Sequence, residues 1–182
     1  EFIGVISEEM GKRLAKLVKM DPINSMETEF IYHAPTRVLI GLRSNLLTQT
    51  KGTLVFNSQL LGFEKLGKTL PKMRKGALIA SQSGETLAYG LANAQGRGIT
   101  FIDPGIKVYE GMIVGINPKD EDIAVNVCKG KKLTNMRSKA SDGVIQLTPA
   151  TALSLEQSLA FLENDELLEI TPKSLRLRKK QL

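Results

Sequence analysis

Met26-Glu27-Thr28-Glu29-Phe30-Ile31-Tyr32-His33 alternates over its whole length. Met26, Thr28, Phe30 and Tyr32 fall on one side of an extended chain, and Glu27, Glu29, Ile31 and His33 on the other, the pattern of a half-buried strand. Upstream, Gly4-Val5-Ile6 reads as a short apolar strand. Ser7 then caps a helix with Glu8 and Glu9 in its first turn, where the helix dipole favours negative charge. Met10, Leu14 and Leu17 recur at helical spacing, and Asp21-Pro22 makes a turn into the alternating strand. Downstream, Pro35 suits a helix start, and Val38, Leu39, Leu42, Leu46 and Leu47 form an apolar stripe. Gly52 ends that helix and Thr53–Leu61 returns as a strand. The order is βαββαβ, a split βαβ arrangement with both helices on one face of an antiparallel sheet.

Beyond this unit the texture changes. Residues 62–76 are rich in Gly, Lys and Pro and read as a linker. Short strands follow at Ala77–Gln82, Thr86–Ala94, Ile99–Ile102, Ile106–Tyr109, Met112–Ile116, Ile123–Cys128 and Val144–Leu147, punctuated by Gly and Pro turns. One helix interrupts them. Ser154 with Gln157 three residues on is a capping-box signature, and Leu155, Leu159 and Leu162 make its expected buried stripe. Leu167–Ile170 and Ser174–Leu177 read as closing strands. The fold class is therefore α+β: a ferredoxin-like βαββαβ domain over residues 1–61, then a mostly antiparallel β domain with one main helix over residues 77–182.

The chain has 182 residues, of which 42% are hydrophobic and 24% charged. That apolar share is too high for a disordered chain. No apolar run approaches the roughly 18 residues a spanning helix needs, so no membrane partner is expected. The single cysteine, Cys128, cannot form an internal disulfide, which fits a reducing, cytoplasmic setting. The first residue is Glu and no secretory pattern follows, so the chain reads as a piece of something longer. The formal net charge is +6, and its distribution matters more than its sum. Lys129, Lys131, Lys132, Arg137 and Lys139 crowd one segment without an acid. Lys173, Arg176, Arg178, Lys179 and Lys180 crowd the last twelve residues, and Glu156, Glu163, Asp165, Glu166 and Glu169 lie between the two clusters.

Three motifs bear on chemistry. Gly62-Phe63-Glu64-Lys65-Leu66-Gly67-Lys68-Thr69 fits the phosphate-loop pattern G-x-x-x-x-G-K-[ST], but Pro71 and Gly76 leave no room for the helix that must follow. A hinge is the better reading. His33 and Cys128 are the only residues of their kinds, so a Cys/His metal cluster is impossible and no nucleophilic triad is evident. The basic segment Lys129–Lys139 is the strongest candidate. It carries phosphate-binding donors, lacks the periodicity to bury itself, and has no aromatic residue for base stacking, which favours RNA backbone and shape.

At these residues the chain resembles the BipA/TypA family of ribosome-binding translational GTPases. The resemblance rests on Gln95-Gly96-Arg97-Gly98, Val108-Tyr109-Glu110-Gly111-Met112-Ile113-Val114-Gly115, Lys131-Lys132-Leu133-Thr134-Asn135-Met136-Arg137, Ser154-Leu155-Glu156-Gln157, Asp165-Glu166-Leu167 and Thr171-Pro172-Lys173-Ser174. The first domain is similar to the fifth domain of elongation factor G. Arg13-Leu14-Ala15 departs from the family's two arginines and a glycine, and Arg37-Val38 from its Arg-Gly. The resemblance implies a carboxy-terminal fragment of a GTPase, non-catalytic, without metal or nucleotide site. GTP and Mg²⁺ would be bound only by an upstream domain. It further implies a basic loop (Lys129, Lys131, Lys132, Asn135, Arg137, Lys139) that meets large-subunit rRNA and A-site tRNA, and a parent with roles in stress adaptation and large-subunit assembly. Arg176, Arg178, Lys179 and Lys180 are secondary RNA-contact candidates, and a monomer is expected. Two other functions compete: a nucleotide-binding protein using Gly62–Thr69, and a protein-interaction module using an acidic helix near Glu163–Glu169.

Overall fold

The chain is α+β and divides into two units, Glu1–Met73 and Arg74–Leu182. The computed structural model describes residues 2–65, 67, 72, 74–131 and 145–181. The first unit runs α1 (Ile3–Lys12), β1 (Lys16–Pro22), β2 (Thr28–His33), a 3-10 turn (Thr36–Leu39) and α2 (Leu42–Gln49). The alternation in β2 is realised: Thr28, Phe30 and Tyr32 are half-buried while Glu29, Ile31 and His33 are exposed. β1 and β2 pair antiparallel, with a bulge between Leu17 and Lys19.

The ends of this unit differ from the expected element order. Gly4–Ile6 is helical, because Ile6 and Met10, one turn apart, both pack on Leu42 and Leu46 of α2. Ser7 consequently lies inside α1 rather than capping it. The helix stops at Lys12, Leu14 turns the chain with a φ of 56°, and Leu17 enters β1 instead of extending the helical stripe. Thr53–Leu61 has no strand partner among the described residues. It keeps a two-residue period only as far as Leu54 and Phe56, which reach the same core. A buried polar tie supplements that core. Arg13 donates to Glu9 at 3.0 Å and to the carbonyls of Val38 and Ile40 at 2.7 and 3.0 Å, and Asn45 of α2 donates to Glu9 at 2.6 Å.

The second unit runs β3 (Ala77–Ala80), β4 (Gly84–Glu85), α3 (Ala88–Gln95), β5 (Ile99–Thr100), β6 (Lys107–Val108), β7 (Met112–Ile116), β8 (Ile123–Val125), α4 (Leu155–Phe161), β9 (Glu166–Ile170) and β10 (Leu175–Lys179). Its main sheet has the order β8-β3-β7-β10-β9, with β5 also on β7. β3 and β8 are parallel and the other pairs antiparallel. Alternation along β3 and β7 divides the core. Leu78, Ala80, Met112 and Val114 join Leu91 and Ala94 of α3, whereas Ala77 and Ile113 join Phe161 of α4 and Leu177.

Among the described residues two helices, α3 and α4, pack on this sheet, where one main helix is expected. The segment expected as a strand at Thr86–Ala94 is mostly α3, seated through small residues: a Cβ on Gly90 would lie 2.4 Å from the carbonyl oxygen of Val127. The capping box of α4 is present in both directions, Gln157 N to Ser154 Oγ at 3.2 Å and Ser154 N to Gln157 Oε1 at 2.8 Å. Its buried face is Ser158 and Phe161, however, and Leu155 and Leu159 are exposed. Residues 145–147 form no ladder, and Val144 lies outside the described residues.

Candidate nucleic-acid interface

The basic segment leaves the fold from β8. Val127 is buried, and its carbonyl accepts a hydrogen bond from Leu87 N at 3.0 Å, just before α3. Asn126 Oδ1 accepts from Cys128 N at 3.1 Å, tightening the turn that follows. Cys128 itself packs against the core cluster that includes Leu78 and Leu91, and burial pushes its thiol pKa up, so it is a packing residue. Lys129, Gly130 and Lys131 then emerge exposed. Lys132, Asn135, Arg137 and Lys139 lie outside the described residues.

The returning stem is held by Gln95, the last residue of α3. Its amide accepts from Thr148 N at 3.0 Å and donates to Thr148 O at 2.7 Å and to Thr100 Oγ1 at 3.1 Å. Thr151 N donates to Thr100 O at 2.9 Å, and Leu147 packs on the core. One short helix therefore grips both stems, the outgoing one at its start and the returning one at its end. Sequence reasoning missed this grip. Gln95 directly follows the segment that reads as a strand, and its partner Thr148 is 53 residues away, so no local pattern gives its amide a task.

The carboxy-terminal cations behave differently. Arg178 donates to Glu169 at 2.7 Å. Lys179 meets Asp122, Asp165 and Glu166 at 2.6, 2.8 and 2.8 Å. Burial disfavours the charge on Lys179, but hydrogen bonds to these three carboxylates outweigh it and raise its pKa. The Lys179 hydrogen bond holds Asp165 below its ordinary value. Tyr109, half-buried on this face, donates to Glu169 at 2.7 Å. Burial first and that carboxylate second push its hydroxyl up to about 12, and Glu169 is lowered by Tyr109 and then by Arg178. Glu166 also takes Arg74, whose guanidinium sits 4.0 Å over the Phe161 ring. Lys180 donates to the carbonyl of Asn164. Arg178 and Lys179 are thus engaged within the fold, Arg176 lies opposite Glu169 in the β9–β10 register, and Lys173 and Lys180 are the exposed cations of the tail.

The same pairings answer the interaction-module hypothesis. Glu163–Glu169 is not a helix: it is the turn into β9 and most of β9 itself, and Asp165, Glu166 and Glu169 are matched by cations of this unit. In Gly62–Thr69, residues 62–65 are exposed, and residues 66, 68 and 69 lie outside the described residues. Among the described residues no helix follows before β3. His33 is exposed on β2, and no group of three or more His, Cys, Asp or Glu is disposed to hold a metal among the described residues.

Residues 75–182 match the family model of the TypA/BipA C-terminal domain, and residues 1–73 match that of the elongation factor G C-terminus. Curated relatives carry the name large ribosomal subunit assembly factor BipA. That of Haemophilus influenzae is 39% identical over 98% of this chain and 29% of its own length. Those of Buchnera aphidicola and Bacillus subtilis are 40% and 37% identical, each over all of this chain and 30% of their own length. The chain therefore spans about 30% of the relatives it matches.

Proposed function

Because the chain belongs to the TypA/BipA family, we propose that it is a ribosome-binding segment whose basic loop, Lys129–Lys139, contacts RNA of the large subunit and the A-site tRNA. Its role is binding and positioning; GTP and Mg²⁺ would be handled elsewhere in a longer cytoplasmic parent, acting as a monomer in subunit assembly and stress adaptation. The supporting observation is electrostatic. From residue 123 to residue 155 the sequence carries five basic residues, all in the loop, and a single acid, Asp142, whereas the carboxylates of β9 are held by Arg74, Arg178 and Lys179. Positive potential is thereby concentrated at the end of the unit that carries Lys129 and Lys131, and polyanions are drawn there.

Pelleting the chain with ribosomes across a salt series tests this. Five phosphate contacts give a log–log slope of about −3.5 to −4.5. Changing Lys131, Lys132 and Arg137 to Ala is expected to weaken binding and flatten the slope to about −1.4 to −1.8. Unchanged affinity and slope would remove the loop from the mechanism.

A further inference from the structure

We propose that the outward face of α3, formed by Tyr89, Asn93 and Arg97, is a second RNA-contact surface adjoining the base of the basic loop. This rests on the RNA-binding reading of that loop and extends it to residues outside it. Tyr89 and Asn93 lie four apart on the helix. Arg97 lies four further on, in the turn that continues it through Arg97 N and Gly98 N, both donating to Ala94 O. Residues spaced by four share one side of a helical turn. The opposite side, Gly90, Leu91 and Ala94, is buried, so the spacing directs Tyr89, Asn93 and Arg97 away from the core. Asn93 and Arg97 are exposed and Tyr89 is half-buried.

The chemistry of the face suits RNA. Tyr89 offers a ring for stacking on a base or sugar and Arg97 a fork for phosphate; Asn93 donates one amide hydrogen to the Tyr89 carbonyl at 3.0 Å and keeps the other, with its Oδ1, for a base edge or 2′-hydroxyl. Arg97 makes no ion pair or side-chain hydrogen bond among the described residues. In a unit where Arg74, Arg178 and Lys179 are all matched to carboxylates, that sets it apart. Residues 86–102 contain no acid at all. The nearest carboxylates in sequence are Glu85, paired in register with Lys107, and Asp103, which accepts from Ala150 N at 3.4 Å. Position completes the argument. The outgoing stem meets the start of this helix, where Leu87 N donates to Val127 O, and the returning stem meets its end, where Gln95 donates to Thr148 O, so the helix that carries this face is tied to both stems of the basic loop. A protein partner would leave little use for an acid-free face ending in a lone guanidinium; a phosphate backbone uses both.

The test is co-sedimentation of the 182-residue chain with purified large ribosomal subunits at 50 to 200 mM salt, for Arg97→Ala, Arg97→Lys, Asn93→Ala and a loop variant (Lys131, Lys132 and Arg137 to Ala). Thermal melts confirm that each variant folds. Arg97→Ala should weaken binding about three- to tenfold and reduce the magnitude of the salt slope by about 0.7 to 1, and Arg97→Lys should retain the slope. Asn93→Ala should weaken binding without moving the slope. If the loop variant weakens binding while Arg97→Ala and Asn93→Ala leave affinity and slope at the parent values, the α3 surface is refuted and the loop reading stands. Loss of binding on Arg97→Ala with an unchanged slope would assign the face to a ribosomal protein and likewise refute it. If the parent chain does not bind, or the loop variant binds as the parent does, the loop reading fails, and the α3 surface fails with it.

Discussion

Replacing Gln95 with Ala removes the clip between the end of α3 and the returning stem. Three hydrogen bonds disappear, two to the backbone of Thr148 and one to Thr100 Oγ1. A hydrogen bond of this kind contributes about 0.5–1.5 kcal/mol net, and Thr148 can rehydrate once released, so the low end applies. The sum is about 1.5 kcal/mol, or roughly a twelvefold change in a local opening equilibrium. Amide hydrogen exchange followed by NMR reads this directly. The Thr148 amide, which donates to Gln95 Oε1, should exchange about ten times faster, and Thr151, tied to Thr100 O, should follow in part. Amides of β7 should keep their rates, because the opening is local. Gln95→Glu retains the acceptor for Thr148 N but sets a carboxylate against Thr148 O, so it should restore little. In ribosome binding, Gln95→Ala should lower affinity while leaving the salt slope alone, because no charge has changed. A Thr148 exchange rate equal to that of the parent would refute the clip, and a flattened slope would show that Gln95 acts through something other than loop position.

Gly98→Ala would place a Cβ 2.0 Å from the carbonyl oxygen of Ile116, forcing β5 off β7. A loss of about 2–4 kcal/mol in urea unfolding of the second unit is expected. By contrast, Gly11→Ala on α1 meets nothing within 4 Å and should raise the stability of the first unit by about 0.5–1 kcal/mol. Glu166→Gln leaves Arg74 facing a neutral amide in a buried position, while Lys179 keeps Asp122 and Asp165, and a loss of about 2–4 kcal/mol in the same urea assay is expected. Asp165 and Glu169 both have pKa values lowered by folding, so their contribution is complete above their ordinary values of 3.8 and 4.5 and is lost as pH falls through the depressed ones. The urea midpoint should therefore hold level from pH 8 to 5 and decline below about pH 4.5; a midpoint that stays level to pH 3 would contradict these pairings.

Features whose cause is local were legible in the sequence. The capping box at Ser154 and Gln157 needs only four residues, and the β2 alternation needs only one buried face. Strand β7 was read with its observed limits because Met112–Ile116 is apolar throughout and bounded by Gly111 and Asn117. The misreadings share a different cause. Gly4–Ile6 looks like a strand until Ile6 is placed one turn before Met10 against α2. Thr86–Ala94 carries Thr, Leu and Tyr, which suit strands, and its helix exists because Gly90, Leu91 and Ala94 together fit against β8 and Val127. In α4 the apolar leucines face solvent while the small Ser158 is buried, a choice made by the shape of the sheet beneath it. The basic loop was visible as charge, but its support was not, because Gln95 and Thr148 are far apart in the chain. The tail showed its cations plainly; that Arg178 and Lys179 are already matched follows from the β9–β10 pairing, which sequence spacing alone does not determine.

Arg74 has a mechanical meaning. It lies three residues before the start of β3, an inner strand lying between β8 and β7, and it is fastened to the Phe161 carbonyl and ring and to Glu166. Tension arriving along the preceding chain is therefore delivered to α4 and β9 together before it can peel β3 from its neighbours. Load is shared in the way a strain-relief collar protects a cable where it enters a housing, so tugging at that end should leave the grip of α3 on the basic loop intact.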